Sequence, residues 1–246
     1  MELLGDVWLW FTTASSWTGE GIDPGILFRI YEHMSMSLQA AALAAALVLP
    51  LGLYVGHARR FEFAAVTVGN FGRALPSFGI LGITFAITIS WPGNLGFWAT
   101  FIALLLLAIP PILTNTYVGV KGVDADTIEA ARGMGMTEMQ ILLRIEVPLA
   151  APLIVAGLRL ATVQVVATAT LGAVAAWGGL GRYIVDGFAS GNDVDLLGGA
   201  ILVAVLAIVT ELAFGLVERL VRPRTAARAA APRPAGTPVA DPGAAA

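Results

Sequence analysis

The sequence predicts an all-α polytopic membrane protein with five transmembrane helices, its N-terminus outside and its C-terminus in the cytoplasm. Three observations carry that expectation. Hydrophobic residues make up 57% of the 246 and charged residues only 13%, where a soluble domain carries about 25% charged residues. The apolar residues gather into runs near the ~20 needed to cross roughly 30 Å of hydrocarbon as a helix. The basic residues divide unevenly between the loops. With spans over about 36–56, 61–90, 97–118, 149–176 and 196–217, Arg59, Arg60, Lys121, Arg132, Arg144, Arg219, Arg222, Arg224, Arg228 and Arg233 fall on one side. Only Arg29 and Arg182 fall on the other, with Arg73 and Arg159 inside spans. The richer side is cytoplasmic. A sixth crossing breaks this asymmetry.

Residues 1–34 are expected to form an external or interfacial segment ahead of a transmembrane domain over 35–221. They lack the cationic start of a signal peptide, since Glu2 and Asp6 flank a short apolar run. Residues 3–11 are too few to span, and Trp8, Trp10, Phe11 and Trp17 suit a piece lying at the membrane surface. Residues 21–25 (GIDPG) read as a turn. The first span carries Gly52 and Gly56 at a spacing that lets another helix come close. His33 and His57 bracket this region and are assigned to the interface. The second span contains Asn70, Arg73, Pro76 and Ser77; a proline there donates no backbone bond, so the helix is kinked or broken. A turn over 91–94 leads into the third span, with Pro110, Pro111, Asn115 and Thr116. The fourth holds Arg159, Gln164 and Thr168, and a glycine-rich loop with a short helix over 177–195 precedes the fifth. The Pro/Ala/Arg-rich residues 222–246 cannot bury enough apolar surface to fold and are expected to be a disordered cytoplasmic tail.

Between the third and fourth spans lies a polar stretch, 121–148, on the cytoplasmic side. Asp126 and Glu129 have the spacing of a helix-capping box, so a helix is expected to start near Asp126 and run through Arg132. Gly133 and Gly135 end it, Gly135 being placed for a positive φ. Thr137 and Gln140 make a second capping box, and Pro148 is expected to end the second helix. A solvated tether has no need of two helix starts with a glycine between them, which favours a docking element.

Glu129-Ala130-Ala131, Gly135 after a three-residue gap and Ile145-Glu146-Val147-Pro148 resemble the EAA motif of bacterial ABC importer permeases, with Val147 where the family carries leucine. The stretches at 70–79, 110–119, 157–161 and 178–181 resemble the osmoprotectant subgroup, which carries glycine betaine, choline, carnitine or proline. The resemblance covers about 35–218. It implies a multi-pass protein of the bacterial cell membrane whose coupling helices meet an ATP-binding subunit through Glu129, Ala130, Ala131, Gly135, Ile145 and Pro148. It also implies a second permease chain, identical or different, and an external substrate-binding protein. No cofactor is expected in this chain, ATP and magnesium belonging to the ATPase. The sequence agrees: it has no phosphate-binding loop, and its lone lysine, Lys121, precedes Gly122.

Other functions find little support. Without cysteine there is no disulfide, thiolate catalysis or cysteine metal site. No catalytic constellation, metal site or nucleic-acid surface is expected. A permease for another small solute such as an amino acid remains an alternative. An ion-coupled secondary transporter wants intramembrane acids, and only Glu211 near a span edge offers one. A membrane scaffold needs no helix-closing glycine in the loop. Candidate pathway residues are Arg73, Pro76, Ser77, Asn115, Gln164 and Thr168. Arg73 either gates the path or satisfies carbonyls freed at Pro76; Asn115 and Thr116 either bind or hold helices together; Gln164 and Thr168 share a helical face toward the path or another subunit. Arg159 is read as structural, paired with a cytoplasmic-side carboxylate. No aromatic cluster able to hold a quaternary ammonium is expected in the spans.

Overall fold

The computed structural model describes residues 2–20, 24–74 and 76–221, the side chains of 71–74 excepted. Every regular element among them is helical. In chain order these are α1 (Glu2–Thr12), α2 (Ala14–Thr18), α3 (Gly25–Ala58), α4 (Glu62–Ala74), α5 (Ser77–Thr88), α6 (Phe97–Lys121), α7 (Ala125–Gly133) and α8 (Glu138–Ile141). A π-helical turn (Leu142–Glu146) then leads into α9 (Val147–Thr168), followed by a 3-10 segment (Ala169–Ala175), α10 (Gly181–Ser190) and α11 (Asp193–Val221). Four helical runs are long and apolar enough to cross a membrane: Gly25–Ala58, Phe97–Lys121, Glu138–Ala175 and Asp193–Val221. The remaining span expected from the sequence falls on α4 and α5, which the chain breaks at Pro76 (φ −63°, ψ 125°).

Three long helices, α3, α6 and α9, form the centre. Glycines bring them together: a Cβ at Gly52 would lie 2.9 Å from the Thr116 Cβ, one at Gly56 2.7 Å from that of Val120, and one at Gly157 2.7 Å from that of Asn115. Close approach is what holds helices together in lipid, where apolar burial gives no preference for protein over tails. Met36, Ala40, Ala44, Leu104, Ile112 and Val165 fill the space between them. α4 and α5 lie on α6, while α11 packs on α9 and α10 packs on α11 and the 3-10 segment.

Three features depart from the sequence-based expectations. His33 is buried, its Nε2 2.8 Å from the Val166 carbonyl, so it belongs to the helix packing and not to the interface. (The N-terminal segment, for its part, packs Trp10, Phe11 and Trp17 with Ile26, Leu180, Tyr183 and Leu202 and leaves Leu4, Trp8 and Leu9 exposed.) α3 begins at Gly25, well ahead of residue 36. Pro148 does not end a helix. The Val147 N–H bonds back to Leu142 across the π turn, and the proline sits in the first turn of α9, where a missing donor is tolerated. Of the 21–25 turn, only Pro24 and Gly25 are described, and the tail from 222 lies outside the described residues.

Candidate coupling surface

The polar stretch folds as two short helices around one glycine. Asp124, two residues ahead of the expected Asp126, caps α7: its carboxylate accepts from the Asp126 N–H at 2.9 Å. Asp126 instead stands in the first turn, where a negative charge faces the helix dipole. Gly135 takes φ +82°, and the Met136 N–H reaches back to the Ala131 carbonyl at 3.2 Å. Thr137 and Gln140 then form the expected reciprocal capping box.

Beneath the surface, Val123, Ile128, Ala131 and Ile141 make a small apolar core, with Met136 and Ile145 against it. Ala131 is therefore small to let α7 and α8 meet; at 0% exposure it cannot touch a partner. Glu129, Ala130, Gly135 and Pro148 face outward. So do Met134 and Met139, 75% and 62% exposed, which sequence reasoning passed over. Their signal was available: two apolar side chains in a polar stretch whose core positions are already filled by Ile128, Ala131 and Ile141. Unbranched thioethers beside a glycine make an adaptable contact surface.

Charge links this surface to the membrane helices. Arg132 donates two bonds to Glu138, at 2.7 and 2.9 Å, and that hydrogen bond raises the guanidinium above its ordinary pKa. Glu138 lies 3.4 Å from His57 Nε2, and His57 Nδ1 lies 2.5 Å from Glu146, a carboxylate only 2% exposed. A groove of about 770 Å³ opens beside them, lined among others by His57, Arg59, Glu129, Arg132 and Glu146. Nothing in the sequence spacing announced His57 as a member of this surface.

The candidate pathway residues do not converge. Ser77 and Thr168 do share a small cavity with Thr100 and Gly172. Gln164, four residues from Thr168, points away and is exposed. Asn115 donates to the Pro111 carbonyl of its own helix at 2.8 Å and packs against Gly157 of α9. Pro76 is exposed at the start of α5, and the Arg73 side chain lies outside the described residues. Arg159 pairs with Glu218 at 2.7 Å and Glu211 at 3.6 Å, as its structural reading expected.

Aromatic rings do gather at one end of the bundle. Trp91, Phe97, Trp98, Phe101 and Trp177 meet near the start of α6 with ring centroids 5.0–6.3 Å apart. Distant in sequence, Trp177 completes the cluster. The rings meet mostly edge to face, Phe97 and Phe101 lying parallel, and Trp91 and Trp98 stay partly exposed. Among the described residues no group of histidines and carboxylates is arranged to hold a metal.

Over residues 48–226 the sequence matches the family described as binding-protein-dependent transport system inner membrane component. The carnitine transport permease protein OpuCB of Listeria monocytogenes is 37% identical over 199 residues, covering 81% of this chain and 89% of that one. The choline transport system permease protein OpuBB of Bacillus subtilis is 34% identical over 198 residues, covering 80% and 89%. Among solved structures, a chain of the inward-facing methionine ABC transporter MetNI shares the fold with TM-score 0.70 at 24% identity, over 80% of this chain and 97% of that one.

Proposed function

Because this chain belongs to the family of binding-protein-dependent transport system inner membrane components, we propose that it forms the translocation pathway for a small quaternary-ammonium osmolyte. Membership makes it a multi-pass membrane permease subunit of an ABC importer, in a family whose ATPase is a separate chain. The observation that carries the substrate class is that relatives covering four-fifths of this chain are carnitine and choline permeases. Both solutes carry a trimethylammonium group.

In this reading α7 and α8 dock in the ATPase subunit. Glu129, Ala130 and Gly135 form the contact with Met134 and Met139, while Ile145 and Pro148 shape the turn that joins the contact to α9. A second permease chain completes the pathway, and an external binding protein delivers solute. In that division of labour cation–π capture of the ammonium belongs to the binding protein, and this chain offers weak contacts that let solute pass. ATP and its magnesium stay with the ATPase.

The test is uptake into proteoliposomes holding this chain with its cognate ATPase, permease partner and binding protein. ATP-dependent entry of labelled carnitine, choline or glycine betaine is expected. Entry of an amino acid and of none of these three solutes would overturn the substrate class.

A further inference from the structure

By chain, His57 and Glu146 stand 89 residues apart, with α4, α5, α6, α7 and α8 between them. In space the imidazole joins α3 directly to the coupling surface. It occupies the last turn of α3, just before the chain reverses through Arg59 (φ 49°) and Phe61 (φ 62°).

Its two contacts differ in kind. Glu146 is buried in the π turn at the foot of α9. A buried carboxylate must keep a partner, and His57 supplies one. Glu138 is exposed and already clamped to Arg132. His57 therefore shares its ring between a carboxylate fixed among the membrane helices and one that a docking partner can reach. Any partner group that draws on Glu138 or Arg132 changes what holds His57. The groove beside the ring, bounded by Arg59 and Glu129, leaves room for that movement. A π turn at this junction fits, since such turns interrupt the regular ladder and concentrate at working sites.

We propose that His57 is the positioning residue through which displacement of the coupling surface reaches α3. This rests on the permease reading above and adds the residue that links docking to a particular membrane helix. A purely structural role is a weaker account. A buried hydrogen-bonded pair of this kind contributes little net stability over apolar packing, and packing alone has no use for the exposed Glu138 at the second ring nitrogen.

The test uses the complete reconstituted transporter and the paired variant H57Q/E146Q, which leaves no buried charge stranded, alongside H57Q. Uptake is expected to fall about tenfold, within the range of allosteric couplings. The ATPase subunit should still co-purify, and binding-protein-stimulated hydrolysis should persist. Uptake and hydrolysis that both stay at wild-type levels, or that fall in proportion, overturn the proposal. Hydrogen exchange in the unmodified complex provides a test without substitution: ATP binding should change protection at residues 53–58, and an unchanged pattern there also overturns it. Wild-type uptake reports on the permease reading and the uptake-to-hydrolysis ratio on His57, so the two fail separately.

Discussion

Gly135 separates two kinds of constraint that one residue can carry. Its φ is +82°, yet a Cβ built there meets no atom within 4 Å. Space is not the limit; backbone conformation is. An ordinary L residue in the left-handed region costs roughly 1–2 kcal/mol, while asparagine is tolerated there. Gly135→Val should therefore weaken ATPase co-purification and uptake by about 5–30-fold, and Gly135→Asn should leave both near wild type. Equal behaviour of the two variants would show that backbone conformation is not what the site requires. Gly135 and the Thr137–Gln140 box were legible because their partners lie within a few residues. Ala131 was not, because a small side chain suits a partner's surface and an internal one alike. Only the position of Ile141, across the turn, assigns it to the inside. His57 was illegible for the same reason at longer range.

Helices α3 and α6 approach through glycines, and the approach is testable. Gly56 packs against Val120 so closely that a methyl group there must displace α6. Gly56→Ala should destabilise the detergent-solubilised protein by about 1–3 kcal/mol, the usual cost of overpacking. Gly82→Ala, on the open side of α5 with nothing within 4 Å, should cost nothing. Thermal unfolding of the two variants measures the difference. The sequence offered Gly52 and Gly56 as a place for close packing, but only the structure shows that α6 fills it. Nor could the sequence decide between two prolines. Pro76 divides a span and Pro148 does not, because the outcome depends on the hydrogen-bond register just before each one. Where a π turn has already shifted that register, a proline can enter without a break.

The whole molecule has two chemically distinct ends. Helices α7 and α8, His57 and the Lys121–Glu62 pair (2.5 Å) lie at one, and the aromatic cluster lies at the other, a full length of α6 away. Long-range pairs such as Arg159–Glu218 and His33–Val166 join the helices between these ends, and no local pattern announces them. The chain contains no cysteine, so single-cysteine variants can map its orientation against a silent background. With five crossings, Ser90→Cys and Ser190→Cys should react with a membrane-impermeant thiol reagent from outside intact cells, and Met134→Cys only after the membrane is opened. Labelling of Met134→Cys in intact cells would reject the orientation. The helical run from Glu138 to Ala175 extends 38 residues, roughly 57 Å at about 1.5 Å per residue. Its foot stands in the coupling surface, and its head packs Gly172 against Thr100 and Trp177. Length gives such a run leverage: if it moves as one body, a tilt of about 5° at the foot carries the head through roughly 5 Å.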